Sequence, residues 1–160
     1  MPLTRFGYET VLSNMVVYLG AAAQSAQLNQ NLRETVTSVL RGNPFTVPRQ
    51  VNRYPAVFIW IGSDSEGWSS IGNQSKDVTT MYNVAGIVQY AGTNQQADQE
   101  RNFLADNIQA LIRNNVNLSN TVVWMTPTRC ALSDSPFETG GIHVLGSLIE
   151  VEVFRLLRED

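Results

Sequence analysis

The uninterrupted run Tyr54-Pro55-Ala56-Val57-Phe58-Ile59-Trp60-Ile61 sets the tightest limit on what this chain can fold into. It is apolar throughout, rich in β-branched and aromatic residues, and shows no alternation of polar and apolar positions. Such a run reads as a strand covered on both faces. Pro55 has no amide hydrogen to give to a ladder, so it belongs at the strand's beginning. The remaining segments must then supply neighbouring strands and a cover. A sheet with helices on one side only would leave the second face of this strand for a neighbouring subunit to bury.

The segments on either side supply those elements. Residues 8 to 41 read as helical: Val11, Met15, Tyr18 and Leu19 recur at three- and four-residue steps, as do Leu32, Val36, Val39 and Leu40. One helix bent near Gly20, or two helices, would fit. Gly42-Asn43-Pro44 ends the segment, and Phe45 to Arg53 is a connector. Gly62 to Lys76 reads as a loop of Gly, Ser, Asp and Asn in which Trp68 and Ile71 are the large apolar members. Val78 to Gly92 follows as a long strand with Val78, Thr80, Tyr82, Val84, Val88 and Tyr90 on one face.

Thr93 and Gln96 have the spacing of a capping box that opens a helix. Ala97, Leu104, Ile108 and Leu111 form its apolar stripe, widened by Phe103 and Ile112. Gln95, Gln99, Asn102, Asp106, Gln109 and Arg113 form the polar side, and the helix should end near Asn114-Asn115. Thr121 to Leu132 reads as a strand interrupted at Pro127, and Ser133 to Gly141 as a loop. His143 to Leu157 is the last strand, with Ile149, Val151 and Val153 alternating with Glu150 and Glu152. Strands grouped around one well-defined helix predict a single α+β domain over residues 1–160. Its sheet should be mostly antiparallel, with helices packed on one face.

Composition narrows the function. Apolar residues make up 43% of the 160 residues and charged residues 16%. That charged share is well under the roughly 25% of an ordinary soluble domain, and Asn, Gln, Ser and Thr fill the gap. A polar but weakly charged surface repels its neighbours less, which favours packing against other copies. The net charge is −3, and the basic residues are scattered singly from Arg5 to Arg158. A nucleic-acid backbone is held by clustered basic side chains, so specific binding to DNA is not expected. The apolar run Met15 to Ala23 is broken by Gly20 and falls short of the roughly 20 residues of a membrane span. Arg5 offset by Glu9, with Ser13 and Asn14 following, does not make a signal peptide.

Catalytic constellations are scarce. Cys130 and His143 are the single cysteine and histidine. A disulfide within the chain is therefore excluded, as is a multi-histidine metal site. The two residues flank the same predicted loop and could meet across a hairpin, but no third group is evident to orient them. Cys130 sits in an apolar stretch and reads as a small buried hydrophobe. Neither a nucleophile elbow nor a phosphate loop occurs. Asp64 and Glu66, with Asp77 beyond, lack the ligand spacing of a calcium loop. Glu150 and Glu152 share a strand face, which alternation explains as a solvent or interface face. Trp68, in a segment of Ser and Gly, has the character of an anchor for a partner's pocket. No catalytic residue, metal or cofactor is expected. The candidate subunit or tube interface is Asp64, Glu66, Trp68, Ile71, Glu150 and Glu152.

The layout carries a resemblance. A helical N-terminal segment, a Pro-containing turn, Tyr54-Pro55-Ala56-Val57-Phe58-Ile59-Trp60, a long connection and the strand Asp77 to Gly92 come first. The polar-faced helix Asn94 to Asn114 and two strands ending in Leu148-Ile149-Glu150-Val151-Glu152-Val153 complete it. This resembles the tail terminator and tail-completion proteins of long-tailed bacteriophages, which share an α-β-β-β-α-β-β plan. The long first helical region departs from the compact members and keeps a neighbouring neck or connector protein in view. The resemblance implies a structural virion protein of the tail or neck, assembled in the host cytoplasm. It would form a homo-oligomeric ring of six subunits that caps the tail tube protein, ends tail growth and docks the head-tail connector protein. In contractile tails the sheath protein is a further partner, and DNA passes through the lumen without specific binding. A small cytoplasmic binding module using residues 62–76 is the alternative.

Overall fold

The computed structural model describes residues 7–44, 54–70, 75–90, 93–133 and 143–158. In chain order the elements are α1 (Tyr8–Ala23), β1 (Ser38–Arg41), β2 (Ala56–Ser70), β3 (Ser75–Tyr90), α2 (Asn94–Asn114), β4 (Trp124–Ser133) and β5 (His143–Arg158). The expected α-β-β-β-α-β-β order is the order found. The five strands form one sheet in the order β1-β2-β3-β5-β4. Among the described residues, only the β1–β2 pair is parallel. Both helices pack on the same face, α1 against β1 and β2 and α2 against β3, β5 and β4.

The main core lies between helices and sheet. Val11, Met15 and Leu19 of α1 and Leu104, Ile108 and Ile112 of α2 meet Val57, Ile59, Tyr82, Val84, Ile149, Val151 and Val153 of the strands. Gly86 lets α2 come close, because a Cβ there would stand 3.0 Å from Leu104 Cδ2 and 3.1 Å from Ile108 Cδ1. The Thr93–Gln96 capping box is formed in both directions. At the other end of α2, the Tyr18 hydroxyl donates to the Leu111 carbonyl at 2.8 Å and fastens α1 to it.

From Ala56 to Ile59 the apolar run is a strand with both faces buried, with Pro55 before it and Ile61 37% exposed beyond it. Val57 and Ile59 join the main core. Ala56 and Phe58 belong to a second, smaller cluster on the opposite face with Ala85, Ile87 and Val144. The cover that a neighbouring subunit could have supplied here comes in part from the chain itself, with Trp60 on the same face left half-buried. Ala56 and Phe58 are buried within the single chain.

Two expectations are corrected. Residues 24–41 are not helical: α1 stops at Ala23, turns follow, and Val39 and Leu40 lie in the edge strand β1. The side-chain amides of this stretch bind backbone in place of helical hydrogen bonds. Asn29 Nδ2 donates to the Ala23 and Ser25 carbonyls, and its Oδ1 accepts from the Val36 amide at 2.7 Å. Asn107 of α2 donates to the carbonyls of Leu28 and Gln30 at 2.9 and 2.8 Å. The stretch Thr35-Val36-Thr37-Ser38-Val39 is rich in β-branched residues, which suits the strand it becomes. Gly42 ends that strand at φ 109° rather than ending a helix.

Residues 62–70, 75 and 76 are likewise not a loop. β2 and β3 continue as a paired arm, with Asp64 opposite Thr80, Glu66 opposite Val78 and Trp68 opposite Lys76. The predicted connector Phe45 to Arg53 and most of the loop Ser133 to Gly141 fall outside the described residues.

Candidate assembly interface

The arm begins at a bulge. Gly62 has no partner of its own between the Ile61–Tyr82 and Ser63–Met81 pairs. A Cβ there would meet Asn83 Nδ2 at 2.8 Å. One extra residue turns the following side chains to the other face. Asp64, on an even position, thus comes to the helix side of the sheet beside Thr80, where Val57, Ile59 and Ile61 occupy odd positions. There the Tyr8 hydroxyl, at the first residue of α1, donates to its carboxylate. The Tyr82 hydroxyl donates to the Tyr8 carbonyl at 3.3 Å. Burial pushes the Tyr82 phenol up to about 12, with Arg155 pulling slightly the other way.

The proposed interface residues divide between two places. Asp64, Glu66 and Trp68 lie in sequence along the β2 arm. Ile71 falls outside the described residues. Glu150 and Glu152 lie in mid-sheet on β5, opposite Asn83 and Met81 of β3 and Arg129 and Thr126 of β4. They are half-buried and stand on the sheet face away from the helices, whereas Ile149, Val151 and Val153 are buried beneath them. Asp64 and the pair Glu150 and Glu152 thus stand on opposite faces of the sheet.

Cys130 and His143 are kept apart. Cys130 pairs with Ile149 and His143 with Tyr90, which leaves them about 20 Å apart along β5. Burial pushes the Cys130 thiol up, with Asp106 adding to it, so the nucleophilic thiolate is disfavoured. The thiol instead helps to line a small groove between α2 and β4 with Ala105, Asp106 and Leu132. Among the described residues, no group of three His, Cys, Asp or Glu side chains is placed to hold a metal ion. No described helix is long and apolar enough to cross a membrane.

Exposed apolar side chains occur elsewhere than the sequence suggested. Val17 of α1 is 69% exposed, Leu132 at the end of β4 is 51% exposed, and Val123 and Leu156 are each 47% exposed. Val123 and Leu156 frame one groove near the start of α1. Arg155 lies on the floor of that groove and was missed in the sequence. The signal was present: Arg155 continues the parity of Ile149, Val151 and Val153, which puts a guanidinium on the apolar face.

No protein-family model matches the chain, and no curated protein does. Among solved structures, the fold is similar to a chain in the virion of a native gene transfer agent particle. The TM-score is 0.51 at 13% identity, covering 94% of this chain and 99% of that one. At that identity the likeness is one of fold.

Proposed function

We propose that this chain is a structural virion protein of the tail or neck, a ring-forming subunit that caps a tail tube, ends its growth and docks the head connector. The observation that carries the reading is the fold likeness to a gene transfer agent virion chain, which spans nearly the full length of both chains. The α-β-β-β-α-β-β order of tail terminators supports it. So do the low charged share and the exposed apolar side chains at several separate places on the surface. A heterologous contact that repeats through a closing rotation yields a ring, and six copies is the number the resemblance implies. Its neighbours are then the tube protein, the connector and, in a contractile tail, the sheath.

Scattered basic side chains suit a lumen through which DNA slides without being held by its phosphates. The alternative of a binding module that uses residues 62–76 as a ligand-holding loop loses its motive, because those described residues are paired strands. The test is imaging of purified protein mixed with tail tubes. Closed rings at the tube end, with tubes of uniform length, are the expected result. Protein found along the tube or away from its end would overturn the reading.

A further inference from the structure

Arg155 is 7% exposed on the helix face of β5, and its Nε and Nη2 are enclosed with no hydrogen-bond partner. Its Cζ stands 5.6 Å from the centroid of the Tyr8 ring. Its Nη1 lies against Gly7, 2.8 Å from where a Cβ on that residue would be. Gly7 is the N-cap of α1, and no side chain caps the helix there. Asp77, whose Oδ1 is likewise enclosed without a partner, pairs with Leu156 and so stands on the other face of the sheet, and two further acids are engaged elsewhere. Asp64 accepts from Tyr8, and Glu9 holds Arg41 through two hydrogen bonds of 2.5 and 2.6 Å. Among the described residues no carboxylate forms an ion pair with Arg155. The Thr80 hydroxyl, one row along on the same face, is also enclosed without a partner.

A guanidinium does not lose its proton in a protein, so this charge stays. Enclosing it unpaired is costly, and a cation–π contact offsets only part of that cost. The arrangement is incomplete as it stands. The same side chain lines a groove of about 360 Å³ with Asn120, Thr121, Val122, Val123 and Leu156. Nε and one Nη form the side-on fork that a carboxylate or phosphate oxygen pair matches. The adjacent start of α1 adds the positive end of a helix dipole.

We propose that this groove is an oxyanion site in which Arg155 rotates its enclosed Nε–Nη2 edge out toward a bound carboxylate or phosphate group. The anion is either free in solution or carried as a carboxylate by a second copy of the chain. The site stands independently of the ring reading.

The experiment compares the full chain with Arg155→Met and Arg155→Lys by thermal melting in chloride buffer, with added acetate or inorganic phosphate, and by light scattering against protein concentration. Arg155→Met should melt higher than the parent in chloride, because an unpaired buried charge is gone. A free-anion site raises the parent's midpoint by about 5 °C or more at a hundredfold excess over Kd and leaves Arg155→Met unmoved. A site for a second copy shows instead as concentration-dependent association, weakened by phosphate and lost in Arg155→Met. Arg155→Lys should keep less than a tenth of either affinity, since an ammonium lacks the fork. The proposal is overturned if neither anion nor protein concentration separates parent from variant, or if Arg155→Met melts lower with no loss of binding.

Discussion

The Tyr8 hydroxyl donates to the Asp64 carboxylate and so joins the first residue of α1 to the β2 arm, 56 positions away in sequence. It adds to the ladder with β3 a second tie on the arm beyond Gly62. Tyr8→Phe removes the bond and keeps the ring beneath Arg155. It should cost about 1 kcal/mol, the ordinary net value of such a bond. A double-mutant cycle with Asp64→Asn in urea unfolding should give a coupling of similar size. Strict additivity of the two changes would mean that the bond is not held in solution.

The close approach of α2 at Gly86 makes a second expectation. Gly86→Ala puts a methyl against Leu104 and Ile108, whose flexible ends can yield, so the loss should be about 1 kcal/mol. Gly86→Val should lose about 3 kcal/mol, because a branched group there has to push the helix away. Denaturant midpoints of the two variants check the order.

Thr93 caps α2 through its side chain, and Gln96 returns the bond. Thr93→Ala should destabilise by about 1 kcal/mol, while Thr93→Ser should lose only a fraction of that. Far-UV circular dichroism during urea unfolding reads both. Equal stability of all three proteins would show that the helix start is fixed by packing alone.

Alkaline pH should weaken the fold through Tyr82. Its phenol is raised to about 12 by burial, above the roughly 10 of an unfolded chain. The folded state therefore keeps a proton that the unfolded state releases. This contribution is complete below about pH 10 and is lost as pH rises from there through about 12. Burial raises Tyr18 as well, which adds in the same direction. In Tyr82→Phe the decline of the melting midpoint across this window should be shallower than in the parent. An identical slope would assign the decline to other groups.

As a proposed anchor for a partner and not a part of the subunit's own core, Trp68 replaced by Ala should leave the melting midpoint of the single chain within about 1 °C. It should also lower the yield of rings on tail tubes severalfold. A markedly lower midpoint would place the indole in the subunit's own fold and remove Trp68 from the proposed interface.

What the sequence revealed follows from where the determining forces act. The capping box, the stripe Ala97–Leu104–Ile108–Leu111 and the alternation through Val151 and Val153 depend on residues a few positions apart, and these elements were read correctly. Leu32, Val36, Val39 and Leu40 mimic helical spacing, but their conformation is decided by Asn107 and Ile59, far along the chain, through hydrogen bonds to the Leu28 and Gly42 backbone. The arm had the composition of a loop because its strand character comes from the β3 ladder and not from its own propensities. Asp64 could be picked out as an acid in sequence, but its bond to Tyr8 could not. Phe103 was expected to widen the buried stripe of α2 and is instead 37% exposed.

The position of β5 has a consequence for how the molecule is made. It follows every other element in the chain, yet it lies between β3 and β4 and completes both ladders. During synthesis the β2–β3 hairpin can close early, while β4 has no described strand to pair with until β5 emerges. The nascent chain thus carries an open β3 edge and an unpaired β4 for as long as it takes to make the intervening residues, the period in which aggregation competes with folding. Chaperone demand should therefore fall on the interval before β5 is made, and a stop before Val151 should leave an insoluble fragment, not a smaller folded one.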